Sequence, residues 1–560
     1  MAPLIRDLIT DRIQTALEKF KIQGPLRLET LPNITLEHPA DPSLGDYATS
    51  LPLRLAKATR IAPMDLAKSI ADQLDTDQII KEIYPAHPGF INFRLSEKWI
   101  ARQVDTILDE QDTYGNIMGS AVKKIMVEYV SVNPTGPVHV GHTRGAVIGS
   151  VLASLLEAAG HTVTREYYVN DAGTQMDLFY ESVYARYIQA TGGQEEFPSG
   201  GYRGEYVTQL AEQILIQEGL KFSTCDREIA IKQIGDLSRK KMVAMIRKDL
   251  KALGVRFDVW FTEKTLYESG EYQQTMDKLN NNGYLAEKDG ARWFTSTSLG
   301  EDKDNVVVRS TGAPTYFASD IAYHHNKFIS RGFDEVINVW GADHQGHISR
   351  LKAAMLGLEI DPSRLNILVS QMVTLKREGQ LVKASKRSGD FISLRELVDE
   401  VGIDACRYFF LTRSANSQMD FDMALAKRQS SENPVYYIQY AYARISGILR
   451  NANDQGISWR DGDVSLLTQT TELTLIREML KFPELVIKAA ENLEPHHLPY
   501  YAVQLATAFH NFYEKCRVLS SDPKDQDITI ARLKLVEASK IVLGRSLALM
   551  GIGRPENMYR

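Results

Sequence analysis

Between residues 123 and 171 the chain reads strand, loop, helix, strand, and this run constrains the fold more than any other feature. KKIMVEYV (123–130) is a short apolar run rich in β-branched residues, bounded by turn signals. SVNPTGPVHVGH (131–142) is punctuated by Gly and Pro, and TRGAVIGSVLASLLEAAG (143–160) is a helical stretch that stops at a glycine. HTVTREYYVND (161–171) reads as a second strand. Two strands joined through a helix lie parallel, because a tight hairpin cannot make the crossover. The run predicts a parallel sheet with a ligand site at the carboxyl end of its first strand.

The remaining chain is arranged around this unit. At 560 residues it is too long for one core, and three or four domains are expected. Residues 1–20 read as an amphipathic helix, HPADPSLGDYATSLPLRLAK (38–57) is Pro- and Gly-punctuated, and GFINFRL (89–95) alternates like a strand. These suggest a small α+β domain over 1–110, closed by the polar linker QDTYGN (111–116). Residues 120–400 form the α/β domain, with a helical, charged insertion over about 185–300. Its second half resumes with DNVVVRS (304–310), DEVINVWGADH (334–344) and LNILVSQMV (365–373) as buried strands. A connecting segment, 401–435, leads to an all-α bundle over 436–560.

Composition narrows the partners. A net charge of −6 excludes a uniformly basic coat but leaves room for a local basic groove. Cys225, Cys406 and Cys516 are far apart and form no CxxC pair, so neither a structural zinc site nor a disulfide framework is expected. The thiols read as reduced and buried, which suits the cytoplasm. No apolar run reaches the ~18 residues of a membrane span. The opening MAPLIRDLITDRIQTALEKF lacks the uncharged core of a signal peptide, so no membrane association is expected.

Three groups of residues can carry chemistry. His139-Val140-Gly141-His142 precedes the helix of the first unit, where backbone N–H groups and the helix dipole attract phosphate. Two imidazoles there can stabilise charge on phosphate oxygens; alone HxGH favours surface or zinc-binding histidines, and the preceding NPTGP with the strand–helix–strand context turns the reading to phosphate. Lys383-Ala384-Ser385-Lys386-Arg387 is a small basic loop that suits phosphate; alone such a loop is usually a solvated turn, and its value comes from lying downstream of HxGH after a second set of strands. Tyr436, Tyr437, Tyr440 and Tyr442 alternate with Gln439 and Arg444, a pattern that either stacks splayed RNA bases or packs a helix seam.

HVGH and KASKR resemble the paired ATP-binding signatures of class I aminoacyl-tRNA synthetases, departing from the usual pattern at Val140, Ala384 and Arg387. VEYVSVNPTGPVHVGH (127–142), YYVNDAGTQM (167–176) and SENPVYYIQYAYARI (431–445) resemble the arginyl-tRNA synthetases. GDYATSLPLRLAK (45–57) and DACRYFFL (404–411) are similar to further segments of that family, so the likeness runs through nearly the whole chain. It implies an α+β N-terminal domain that contacts RNA, a Rossmann-like catalytic domain with a helical insertion, and an all-α anticodon-binding bundle.

It also implies a reaction, in which ATP with Mg2+ activates L-arginine to arginyl-adenylate and the arginyl group passes to the terminal adenosine 2′-OH of tRNA-Arg. By resemblance, His139, Gly141, His142, Lys383, Ser385 and Lys386 bind ATP, with His139, His142, Lys383 and Lys386 carrying the catalysis. Glu128, Asn133, Tyr316, Asp320 and Gln345 are the implied arginine-binding residues, and Tyr437, Tyr440, Tyr513 and Met558 the implied anticodon contacts. The residue types agree, since a planar, permanently charged guanidinium calls for carboxylates. Tyr316 and Asp320 are one helical turn apart and can face one site. A monomer without a resident metal is expected. The alternatives are a synthetase for another amino acid and a non-catalytic RNA-binding paralogue. A hydrophobic substrate is opposed by Glu128 and Asp320, and a paralogue could lose either signature, whereas both are present.

Overall fold

A computed structural model describes residues 4–23, 32–117, 122–171, 173–381 and 392–558. The chain opens with the helix Ile5–Gln23, whose Ile9, Ile13 and Leu17 are wholly buried at helical spacing. A three-stranded antiparallel sheet follows, with Phe90–Leu95 between Tyr47–Thr49 and Ile80–Ala86. The helix Glu97–Glu110 leads out of this unit.

The centre is a five-stranded parallel sheet: β1 (Lys124–Tyr129), β2 (Thr162–Val169), β3 (Val259–Thr262), β4 (Glu335–Gly341) and β5 (Leu365–Ser370). The spatial order is β5-β4-β1-β2-β3, and every neighbouring pair is parallel. The chain runs outward from β1 through β2 and β3, then restarts on the other side with β4. The point where it reverses, between the carboxyl ends of β1 and β4, is where such sheets hold ligands. The helix Val140–Ala158, buried along most of its length, lies against this junction. Gly149 allows the close approach, because a Cβ there would fall 2.3 Å from the Tyr129 ring.

Two expectations about this domain are corrected. The stretch 185–300 is not a purely helical insertion, since it contains β3, a strand of the central sheet itself. β3 is only four residues long and sits among charged helices, so its period is too short to register. Asn305–Val308, expected among the central strands, instead pairs antiparallel with Ala291–Phe294 in a separate three-stranded sheet. Its apolar run is real, but a run of that length does not say which sheet it joins.

Beyond β5 the chain forms a strand, Val373–Arg377, which pairs in parallel with Met419–Asp422 of the connecting segment. The helices Pro434–Asp454, Thr470–Glu491, His497–Lys515 and Gln526–Met550 make the terminal bundle. Two buried arginines join these parts. Arg144, on the Val140–Ala158 helix, donates to the carbonyls of Gln371, Arg413, Ser414 and Ser417. Arg407, on the helix Ile403–Leu411, donates to the carbonyls of Met550 and Leu253 and to the Ser150 hydroxyl.

Cys406 and Cys516 are buried, but Cys225 is exposed, contrary to expectation, because it falls in the turn before the long helix Arg227–Ala252. Among the described residues, no helix is long and apolar enough to cross a membrane.

Candidate active site

The loop after β1 is held in an unusual shape. Val130 and Ser131 both have positive φ, 70° and 41°, which for non-glycine residues costs on the order of 1–3 kcal/mol each. Surrounding bonds hold it there: Ser131 Oγ accepts from the Tyr168 N–H at 3.1 Å. Tyr167 and Tyr206 donate their hydroxyls to the carbonyls of Val132 and Thr135, each at 2.8 Å. Val140 N–H donates to Ile392 O and Leu394 N–H to Val138 O, so the motif lies against the segment that follows the basic loop. Lys383, Ala384, Ser385, Lys386 and Arg387 themselves lie outside the described residues.

His139 caps the Val140–Ala158 helix, its Nδ1 accepting from the Gly141 N–H at 3.1 Å. The His139 and His142 rings stand 3.8 Å apart between centroids. A Cβ on Gly141 would come within 2.8 Å of the His139 ring, so this position favours glycine. The outcome is an exposed helix N-terminus at the sheet's carboxyl edge, flanked by two imidazoles, which suits an incoming phosphate chain. Among the described residues, one group of three places metal-ligating atoms within 4.8 Å of one another, Glu494, His496 and His497 of the bundle, so the motif histidines form no such group.

The same carboxyl edge of the sheet carries a set of acids. Glu128, near the end of β1, is 6% exposed and its Oε2 sits 2.5 Å from Lys327 Nζ. Thr315 caps the helix Tyr316–His325, which carries Tyr316 and Asp320. Burial first, then the charges of Glu263 and Glu128, push the Asp320 carboxyl up to about 7, against the opposing pull of Arg350 and Lys327. Glu263 follows β3 directly, is 3% exposed and is also raised, chiefly by burial. Ser319 hydrogen-bonds this carboxylate, and the Tyr267 hydroxyl lies 2.7 Å from Ser319. Asn133 donates to Gln175 Oε1 at 2.5 Å, and the Gln175 backbone N–H donates to the Tyr316 hydroxyl. Gln345 is exposed in the segment Ala342–His347 that follows β4, at the same edge of the sheet.

Thus Glu128 and Asp320 meet electrostatically, Asn133 and Tyr316 meet through Gln175, and Gln345 stands at the rim. Sequence reasoning missed Glu263, Lys327 and Arg350. Glu263 had a readable signal: an acid placed directly after a strand, as Glu128 sits at the end of β1, once VWFT (259–262) is taken as a strand.

On the bundle, Tyr437 and Tyr440 flank His510 at 4.9 and 6.1 Å between centroids. The Arg444 guanidinium lies over both Tyr440 and Tyr513, at 4.7 and 5.0 Å. Tyr436 stacks on Tyr440 and, with Lys427, Arg428, Gln439 and Met558, lines a cavity of about 660 Å³. Tyr442 points instead into the core, where it is 6% exposed. The patch joins partly exposed rings to a guanidinium, which suits single-stranded bases.

Residues 7–95 match the arginyl tRNA synthetase N-terminal domain, 103–419 the catalytic domain of class I (R) tRNA synthetases, and 438–558 the DALR anticodon binding domain. The chain is 52% identical over 554 residues to an arginine–tRNA ligase of Dehalococcoides mccartyi, covering 99% of both. It is 44% identical to that of Carboxydothermus hydrogenoformans, covering 98% of this chain and 99% of the relative. The Thermus thermophilus arginyl-tRNA synthetase structure shares the fold with a TM-score of 0.78 at 23% identity, covering 99% of this chain and all of the other. With its helix-capping His139 and neighbouring His142, its acidic pocket and all three of its parts matched in order, the chain belongs to the arginyl-tRNA synthetase family.

Proposed function

We propose that the chain is an arginine–tRNA ligase that uses ATP to activate L-arginine and transfers it to the 2′-OH of the terminal adenosine of tRNA-Arg. The observation that carries this reading is the acidic group Glu128, Asp320 and Glu263 at the same carboxyl edge of the sheet as the His139-capped helix N-terminus. A guanidinium and a triphosphate can be held side by side there. Arginine's carboxylate attacks the α-phosphate, pyrophosphate leaves, and a ribose hydroxyl then takes the arginyl group from the adenylate. The protein's part is to orient these groups and balance their charge.

In this reading His139 and His142 donate to the phosphates, with the Gly141 backbone beside them, and Lys383, Ser385 and Lys386 clamp the leaving pyrophosphate. Mg2+ enters with the ATP phosphates and supplies charge neutralisation there. Asp320 and Glu263 face the guanidinium, Glu128, Asn133 and Tyr316 complete the amino-acid site, and Gln345 closes its rim. Tyr437, Tyr440, Tyr513 and Met558 hold the anticodon loop. The enzyme works as a cytoplasmic monomer, its size checked by sedimentation. Aminoacylation offered all twenty amino acids with total transfer RNA should charge arginine alone. RNA binding without arginine-dependent adenylate formation would instead establish a non-catalytic paralogue.

A further inference from the structure

Beneath the acids runs a row of buried polar side chains. Asn338, Glu128 and Glu166 are register partners across β4, β1 and β2, so the pleat sets them on one face of the sheet. The element above them is the helix Tyr316–His325 and its wider-wound continuation Asn326–Ser330. Lys327, with no exposed surface, reaches Glu128 Oε2 at 2.5 Å and Asn338 Oδ1 at 3.1 Å, over the Tyr323 ring at 4.1 Å. Arg331 forks onto Glu166 at 2.5 and 2.9 Å, and the Tyr323 hydroxyl donates to the same carboxylate. Asn338 Nδ2 lies 2.9 Å from His324 Nε2, and the other ring nitrogen lies 2.8 Å from the Asp320 carbonyl. The row therefore holds two carboxylates, each matched by its own cation, and it ends on the backbone of Asp320.

A buried ion pair adds little net stability over well-packed apolar residues, so packing alone does not explain this one. A π-type turn inside a helix often marks a functional position. Building on the arginine pocket proposed above, we propose that Lys327 is its positioning residue. It anchors the turn behind Asp320 and cancels the charge of Glu128, so that Asp320 meets the guanidinium as a carboxylate and not as one of several acids sharing protons. The groups facing Asp320 are Glu128 from β1, Tyr168 from β2, Glu263 and Tyr267 after β3, Arg350 from the helix Ile348–Gly357, and Lys327 and His324 from its own helix. Lys327 is the buried cation among them.

The test is arginine kcat/KM in aminoacylation by the full-length enzyme between pH 6 and 9, with the melting temperature of each variant as control. Wild type should lose efficiency below about pH 7. Lys327→Met removes the cation and should move that midpoint up by about one unit, a loss of about fivefold at pH 7 that recovers at high pH. Glu128→Gln removes the like charge, keeps the cation and should move the midpoint down. Glu128→Gln combined with Lys327→Met removes both charges and should return it toward wild type. The ATP KM should stay constant throughout. A packing role would instead lower efficiency equally at every pH. Should Lys327→Met fail to fold, the other two variants carry the same test, because they leave no unpaired carboxylate in the row. Midpoints unmoved in all folded variants, while Asp320→Asn still weakens arginine use, would overturn the role of Lys327 alone. An Asp320→Asn variant with unchanged arginine use would remove the pocket reading and this proposal together.

Discussion

Replacing Asp320 with Asn tests the arginine pocket most directly, because it changes one charge and almost no volume. A buried carboxylate–guanidinium contact is worth about 2–5 kcal/mol on truncation, or roughly thirtyfold to several thousandfold in affinity. The size seen should depend on pH. With the Asp320 carboxyl at about 7, about ten sites in eleven carry the charge at pH 8 and about one in eleven at pH 6. The arginine cation binds the ionised form, so binding strengthens as pH rises through this range and weakens below it. Wild-type arginine KM should therefore rise about tenfold from pH 8 to pH 6, whereas the Asn variant should be weak and nearly flat. The same shift bears on folding. A carboxyl raised above its unfolded value keeps its proton longer in the native state, so the native state loses stability as pH climbs from about 4 to about 7. The Asn variant should accordingly melt higher than wild type at pH 8 without arginine. Aminoacylation kinetics at three pH values and a thermal melt suffice. An unchanged arginine KM with an unchanged pH slope would refute the reasoning.

Three further outcomes are expected. Tyr440→Ala should raise the KM for transfer RNA by the loss of about 1–3 kcal/mol of stacking while the melting temperature holds; a collapse in melting temperature would make Tyr440 a core residue. ATP–pyrophosphate exchange with arginine should depend on bound transfer RNA, as the family resemblance implies, and Ala384→Met should raise any RNA-independent exchange; robust exchange without RNA would remove this proposal. Arg407→Lys should lower RNA-dependent activation more than RNA binding, because lysine has three donors and no planar fork with which to span Met550, Leu253 and Ser150; equal losses in both would place Arg407 outside the coupling.

The parts of the fold that could be read from sequence are those with clear local boundaries. β1 is a β-branched apolar run, the Val140–Ala158 helix a long stretch between a Gly/Pro loop and a glycine stop, and β2 follows that stop, so their order alone dictates a parallel sheet. β3 has four residues and lies between helices, so its membership of the sheet is set by partners in β2 that are far away in sequence. Asn305–Val308 carries the reverse lesson, since a good apolar run there joins a different sheet. In the candidate site, Glu128 and Asp320 could be nominated from sequence because they sit in distinctive motifs. Lys327 was not, because a lysine at the end of a helix normally reaches water, and only the packed sheet shows that its ammonium is enclosed.

The two buried arginines also say something about how this chain tolerates change. Apart from Ser150, every partner of Arg144 and Arg407 is a main-chain carbonyl. Carbonyls are present whatever side chain the residue bears. Gln371, Arg413, Ser417, Leu253 and Met550 can therefore be exchanged for other types without loosening the joints, so long as the path of the backbone survives. The chemical specificity of these contacts rests on the two arginines and the Ser150 hydroxyl, which leaves the segments between them open to drift, loop exchange or domain grafting.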